Sequence, residues 1–510
     1  MDEARVKRLT LIACILGSAI VFVDQTVVNV ALPALRDDLD ASLADQQWVV
    51  EAYLLLLASL ILVGGSLGDL YGRRRIFAIG TAGFGAASLV CAIAPSVELL
   101  IVARGLQGAF GALLVPSSLA IITTVFGPGE RAAAIGTWTA GTSGAIAFGP
   151  PLGGLLVDVL SWRVIFAMNV PLVLACLWLI RTAVPPISAR GNRRIDIPGA
   201  VLCVVGLAGP TYALIQQPLL GWSDPQVWAP LIGGLGAIVA FVRYERHAPD
   251  PMLPPAIFAS RNFAIGNVVT LTVYAGLGAA SFFIAIFLQQ VSGYSALAAG
   301  LTLLPITLLM IGLSRRFGAL AARTGPRLLM TGGPIVAGLG LLLFTRVDER
   351  GEALTQVLPA TLVFGLGMAM TVAPLTATVL EAAERRHAGI ASGVNNAIAR
   401  VAGLLAIAVV GLVVSAQFAT QVDRRIEPAA QRDAATRAYL DEARERPLTV
   451  PDGPVAARAR VAVREANVAA FHRGMIVSGL LMIAGGLIAA AGIANPPRVD
   501  VVVRPPPVAP

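Results

Sequence analysis

The sequence predicts an all-α membrane protein with fourteen spans, and three observations carry that prediction. The first is composition: of 510 residues, 56% are apolar and only 13% charged, with mean hydropathy +0.77. Ordinary soluble domains are about 25% charged, so a globular surface for this chain would lack polar cover. The apolar content equally excludes a disordered chain. The second is the recurrence of apolar runs long enough to cross a bilayer. The third is a one-sided distribution of Lys and Arg in the segments between them.

A span needs about 20 mostly apolar residues. Such runs lie at 10–32, 47–67, 76–95, 99–125, 132–158, 164–182, 195–217, 227–243, 262–288, 297–314, 327–345, 353–380, 388–417 and 473–494. The first run is not a cleaved signal peptide: it is too long, carries Asp24 and lacks a small-residue cleavage site.

With the N-terminus placed in the cytoplasm, 22 Lys and Arg fall in cytoplasmic segments. Only Arg36, Arg163, Arg346 and Arg350 fall in the short loops opposite. That asymmetry predicts both termini in the cytoplasm. Loop 418–472 is exempt because of its length, and its acids nearly balance its Arg. The +8 net charge is therefore an orientation signal rather than a nucleic-acid footprint. Lys7 is the single lysine, a pattern of GC-rich bacterial genomes, which points to a bacterial cytoplasmic membrane.

Gly65-Ser-Leu-Gly-Asp-Leu-Tyr-Gly-Arg-Arg-Arg75 lies between the second and third spans. Gly318-Ala-Leu-Ala-Ala-Arg-Thr-Gly-Pro-Arg327 lies between the tenth and eleventh. Both fall at the same junction if spans 1–6 and 9–14 are two repeated six-helix halves. The expected organisation is a six-helix bundle at 1–183, two inserted spans with cytoplasmic linkers at 184–260, and a second bundle at 261–495. A Pro-rich disordered cytoplasmic tail is expected at 496–510. Within loop 418–472, helices are expected at 427–446 and 455–470, separated by Pro447, Pro451, Gly453 and Pro454. They read as a solvated cap, with a substrate lid as the alternative. Cys14, Cys91, Cys176 and Cys203 all lie in apolar runs, and His247, His387 and His472 read as scattered loop residues. No metal-ligand spacing is present.

Four motifs carry a resemblance. They are Asp24-Gln-Thr-Val-Val-Asn-Val-Ala-Leu-Pro33, the 65–75 loop, Arg104-Gly-Leu-Gln-Gly-Ala-Phe-Gly111, and Gly149-Pro-Pro-Leu-Gly-Gly154 followed by Ser161-Trp-Arg-Val-Ile-Phe-Ala-Met-Asn-Val-Pro171. With the span count, they resemble the drug:proton antiporter branch of the major facilitator superfamily with fourteen spans. The resemblance implies a major facilitator fold of two six-helix bundles plus two inserted helices.

Asp24 is expected about eight residues from the outer end of the first span. A carboxyl at that depth is costly and marks function. Glu51 and Arg104 lie about one turn into spans 2 and 4 from the same side, so the three are expected to meet and share a proton, with Asp24 favoured as the main carrier and Glu51 the alternative. The resemblance gives Arg104 a part in proton transfer, with Gln107 one turn on. It makes Gly65, Asp69, Gly72, Arg73 and Arg74 a conformational latch between the halves, in which Asp69 is expected to cap a helix start and pair with an Arg. In the second copy, Ala322 stands where an acid is frequent. The resemblance makes Gly149, Pro150, Gly153 and Gly154 an antiporter motif, with Ala145 in place of the family's middle glycine. In the second half, Arg400 falls near the midplane of span 13, with Asn395 and Asn396 one turn earlier. With Gln107 they are the substrate-cavity candidates, although the family places the Arg one position earlier.

The expected function is export of hydrophobic or amphipathic compounds (drugs, dyes, biocides) in exchange for protons, by alternating access. The alternative is export of an endogenous product such as a lipid, siderophore or self-made antibiotic. An enzyme is not expected, because no nucleophile–base pair or metal cluster appears. The absence of a phosphate-binding loop disfavours ATP as the driver. The expected partners are a hydrophobic small molecule, protons and the bilayer, with no cofactor beyond the proton gradient, no nucleic acid and a monomeric state.

Overall fold

The computed structural model describes residues 2–186, 196–249, 251–253, 255–382, 388–425, 433–451 and 457–495. The expected tail 496–510, Arg190, Arg193, Arg194, Arg385, Arg386 and His387 lie outside the described residues. Sixteen α-helices follow in chain order: α1 (Glu3–Leu39), α2 (Leu43–Tyr71), α3 (Arg73–Ala92), α4 (Val97–Val125), α5 (Pro128–Val159), α6 (Trp162–Ala167), α7 (Asn169–Thr182), α8 (Ile197–Leu220), α9 (Pro225–Glu245), α10 (Arg261–Gln290), α11 (Ala296–Thr324), α12 (Pro326–Leu343), α13 (Leu358–Glu381), α14 (Ala388–Arg425), α15 (Ala434–Glu445) and α16 (Ala457–Gly492). Among the described residues, fourteen segments are long and apolar enough to cross a membrane, with α6 and α7 together forming one of them. No strand occurs among the described residues. Helices are the form in which an apolar segment satisfies its own backbone without water. Exposed apolar side chains such as Leu174, Trp178, Ile232, Val239 and Leu328 give the bundle the surface a bilayer requires.

Local chemistry sets the helix ends. Ser42 and Asp45 form a reciprocal capping box at the start of α2, and Ser96 and Ser295 cap α4 and α11. The α6–α7 break follows from Pro171, which lacks the N–H that would bond the carbonyl of Ala167. Gly72, between α2 and α3, has φ +94°, and Gly325, between α11 and α12, has φ +88°. Both positions sit in the left-handed region that favours glycine, and they occupy the same junction of the two repeated loops.

In the first half α2 and α3 pack on α4, and α1 on α5. In the second, α11 and α12 pack on α13, and α10 on α14 and α16. The halves meet along two seams, α5 on α11 and α2 on α14. The α8–α9 hairpin packs on itself and lays α8 over the α2–α14 seam. The even number of spans among the described residues brings their two ends, Asp2 and Asn495, to one face.

On the opposite face the halves are joined. A Cβ at Gly154 would overlap the Ala296 carbonyl oxygen, and one at Gly300 would overlap that of Pro150. Gln289 Nε2 donates to the Val30 carbonyl at 3.1 Å. Toward the face with the termini, α5 and α11 part: Gly136, Gly144 and Gly312 have nothing within 4 Å of a Cβ position.

The long segment 418–472 is helical at both ends. α14 continues to Arg425 and α16 begins at Ala457, so the helix expected at 455–470 is the front of the last span, and His472 is helical rather than in a loop. Its Nε2 lies 2.8 Å from the Val347 carbonyl oxygen. Ala- and Arg-rich sequence past the apolar zone stays helical, and an Arg425–Glu465 ion pair at 3.0 Å ties the two extensions together.

Between them, residues 446–449 form a strap over the joined face. Arg446 pairs with Asp40 at the end of α1. Thr449 Oγ1 accepts from Arg36 at 2.8 Å and donates to Gln290 of α10 at 2.8 Å. Leu448, fully buried, has φ +64°. Its N–H donates to Asn467 Oδ1 at 2.8 Å, while Asn467 Nδ2 donates to the Thr449 carbonyl at 2.6 Å. Asn467→Ala strands these buried groups at a cost of about 1–3 kcal/mol. It should make 433–451 the first site of limited proteolysis, and an unchanged digestion pattern would contradict this role.

Candidate functional site

Asp24 lies fifteen residues before the end of α1, about 22 Å along the helix, the last turn of which is the polar Arg36-Asp37-Asp38. It is 1% exposed, as is Arg104, and the two form an ion pair. Asp24 Oδ1 also accepts from Asn169 at 3.0 Å and from Gln107 at 3.3 Å. Gln107 and Asn169 both donate to Ser88 Oγ, at 2.7 and 3.3 Å. Arg104 donates further to the Val49 carbonyl at 3.0 Å and to Gln107 Oε1 at 2.8 Å, and its guanidinium stands 4.3 Å over the Tyr53 ring. Desolvating two charges costs several kcal/mol each unless geometry and hydrogen bonds compensate. Here α2, α3, α4 and α7 supply that compensation, with Asn169 delivered by the α6–α7 break.

Glu51 does not join this cluster, contrary to expectation. It is fully buried, and neither carboxyl oxygen has a partner. The reason is rotation about α2. Tyr53 faces Arg104, whereas Glu51 lies one turn from Gln47, whose amide donates to the Ile407 carbonyl of α14 at 3.1 Å. Glu51 therefore lies on the side of α2 that carries Gln47 and its bond to α14.

The cavity candidates separate. Gln107 is committed to the Asp24 cluster. Asn395 donates to Asn267 at 3.1 Å and Thr270 at 2.7 Å on α10, joining two helices of one half. Asn396 lies beside it on α14. Arg400 crosses between halves: its Nη1 donates to Gln25 of α1 at 3.1 Å.

The 65–75 turn binds within its own half. Arg73 pairs with Asp69 at 2.9 Å and donates to the Ala120 carbonyl and Thr124 of α4 at 2.8 and 2.7 Å. Arg74 donates to the Arg181 carbonyl at 3.0 Å. Asp69 does not cap α3, which begins at Gly72 without a side-chain cap. Close approach occurs at Gly64, where a Cβ would overlap the Ala112 carbonyl, rather than at Gly65, which is 3.8 Å from Pro116.

The 149–154 glycines serve two contacts. Gly149 and Gly153 admit Thr26 and Val27 of α1, and Gly154 admits the start of α11. α5 runs uninterrupted through Pro150 and Pro151. Four residues on, Asp158 accepts from the N–H groups of Ala296 and Leu297 at 3.0 and 2.9 Å, so a carboxylate of one half caps a helix of the other. Asp158→Ala removes about 1–2 kcal/mol of capping from the joined face. It should raise thiol labelling of a cysteine placed at Ala298, and unchanged labelling would rule out a gate function.

The Major Facilitator Superfamily model matches residues 14–407. The chain belongs to that superfamily. Among relatives of this major facilitator protein is the puromycin resistance protein pur8 of Streptomyces alboniger, 37% identical over 84% of this chain and 86% of that one. Another is the tetracenomycin C resistance and export protein of Streptomyces glaucescens, 32% identical over 94% and 90%. The multidrug resistance protein Stp of Mycobacterium tuberculosis (strain CDC 1551 / Oshkosh) is 33% identical over 96% and 92%. A solved bacterial homolog of the human lysosomal transporter Spinster, inward-facing and unoccupied, shares the fold with TM-score 0.68 at 16% identity, covering 95% of this chain and 96% of that one. The major facilitator chain is thus a multi-pass membrane transporter with fourteen apolar helices.

Sequence reasoning missed four residues of this site. Asn169 and Gln25 lie inside motifs already singled out, adjacent to better-known positions. Ser88 and Tyr53 carry no local signal, being ordinary residues of apolar spans.

Proposed function

We propose that this protein exports hydrophobic or amphipathic compounds in exchange for protons by alternating access, with both termini in the cytoplasm of a bacterial cell. The observation that carries the reading is a buried carboxyl without partners, Glu51, one turn from Gln47, which bonds α14 across the seam where the halves must part, while the Asp24–Arg104 ion pair is sealed inside one half. A bare buried carboxylate is costly, so Glu51 suits a group that takes up a proton when the seam closes and yields it when the seam opens. Asp24, with three side-chain donors, suits the fixed counter-charge of Arg104. That ordering reverses the roles expected from sequence.

The 22-to-4 bias of Lys and Arg supports the cytoplasmic side for the termini. The joined face would then be extracytoplasmic and the conformation inward-facing. The names of the relatives, resistance and export proteins, support efflux. Those that pair resistance with export favour a self-made product as the second reading. In proteoliposomes, a proton gradient should drive uphill accumulation of at least one dye from a panel of anionic, neutral and cationic fluorophores. Folded protein that moves none of them under a gradient would refute proton-coupled export, and reporter fusions near residue 440 that read cytoplasm would refute the orientation.

A further inference from the structure

Arg400 is thirteen residues into α14, about 18 Å from its end, and 7% exposed. Among the described residues no carboxylate pairs with it. Asp24 is held by Arg104, and neither oxygen of Glu51 has a partner. Its Nη1 reaches across the seam to Gln25, and its guanidinium lies 5.4 Å from the centre of the Phe22 ring. Its Nε is buried without any partner. A guanidinium offers five donors in a planar fork matched to carboxylates and similar oxyanions. Here one neutral amide and an aromatic face receive it, so charge and donor capacity are left open where the halves meet.

We propose that Arg400, positioned by Gln25 and Phe22, is the charge-recognising end of the substrate site, and that the exported compounds are aromatic or amphipathic molecules bearing an anionic oxygen such as a carboxylate, sulfonate or phenolate. The proposal rests on the exporter reading and deepens it. An oxyanion at this position completes the fork. Its ring system stacks beside Phe22, as aromatic surface does, and the cross-seam bond to Gln25 lets an occupied site report to the helix that carries Asp24. A cation placed there meets an unpaired like charge in a poorly screened setting.

Fluorescein and rhodamine 6G share a xanthene ring system and carry opposite charge, and the Arg400 variants separate the part of their difference that charge supplies. Their anisotropy is measured on purified protein in detergent at one pH, without a gradient. Fluorescein should bind about tenfold tighter than rhodamine 6G, a difference of about 1.4 kcal/mol. Arg400→Gln should erase that preference while leaving rhodamine 6G binding within about threefold, and Arg400→Lys should retain part of it. Gln25→Ala, which keeps the charge, should weaken fluorescein binding less than Arg400→Gln and serves if the glutamine variant does not fold. Rhodamine 6G binding as tightly as fluorescein, undetectable fluorescein binding, or a ratio unmoved by Arg400→Gln and Arg400→Lys would overturn the proposal. None of these outcomes touches proton coupling, which the gradient experiment decides separately.

Discussion

Glu51→Gln is expected to abolish uphill, proton-driven transport while leaving downhill substrate exchange in place. Glutamine keeps the shape of the side chain and removes its titration, and no hydrogen bond is lost because neither oxygen has a partner. The fold should therefore be undisturbed, and the exchange of one buried acid for an amide isolates coupling from stability. The direct measurement is proton release into weak buffer when purified protein is titrated with a dye it transports, followed with a pH indicator. The parent should release protons, and Glu51→Gln should release none. Asp24→Asn should still release them, with weaker transport because Arg104 loses its counter-charge. If Asp24→Asn is silent and Glu51→Gln behaves like the parent, Asp24 is the proton carrier after all and Glu51 only lines the seam.

Arg104→Ala is expected to be the most destabilising single substitution in the first half. It leaves the Asp24 carboxylate buried without a counter-charge, at a cost of about 3–5 kcal/mol, and frees the Val49 carbonyl and Gln107 besides. The double variant Asp24→Asn with Arg104→Gln should recover much of that loss, because two neutral amides no longer demand charge compensation. Cys14, Cys91 and Cys176 are buried and free, so a thiol-reactive fluorophore reports unfolding of this half on heating. Equal melting temperatures for Arg104→Ala and the double variant would mean that the pair contributes by packing rather than by charge.

Much of the architecture was legible in the chain. Hydropathy and span length act along one helix at a time, so fourteen spans followed from the apolar runs alone. Gly72 and Gly325 announced the repeat, because a left-handed turn between two helices leaves a glycine in the sequence. Residue type and depth likewise marked Asp24, Arg104 and Arg400 as groups that needed a reason to be buried. The helix expected at 455–470 runs on into the last span, a continuity hidden because polar helices and helical caps differ little in composition once they leave the apolar zone. What only the tertiary structure decided was partnership. Successive residues of a helix point about 100° apart, so Glu51 and Tyr53, two positions apart on α2, face different neighbours. Which of them meets Arg104 depends on the rotation and tilt of packed helices. Asp24 acquired Asn169 from a helix break 145 residues away, Asp158 found the start of α11 across the seam, and Arg400 found Gln25. Each pairing is fixed by where rigid helices come to rest against one another, a property of the packed bundle that no single segment encodes.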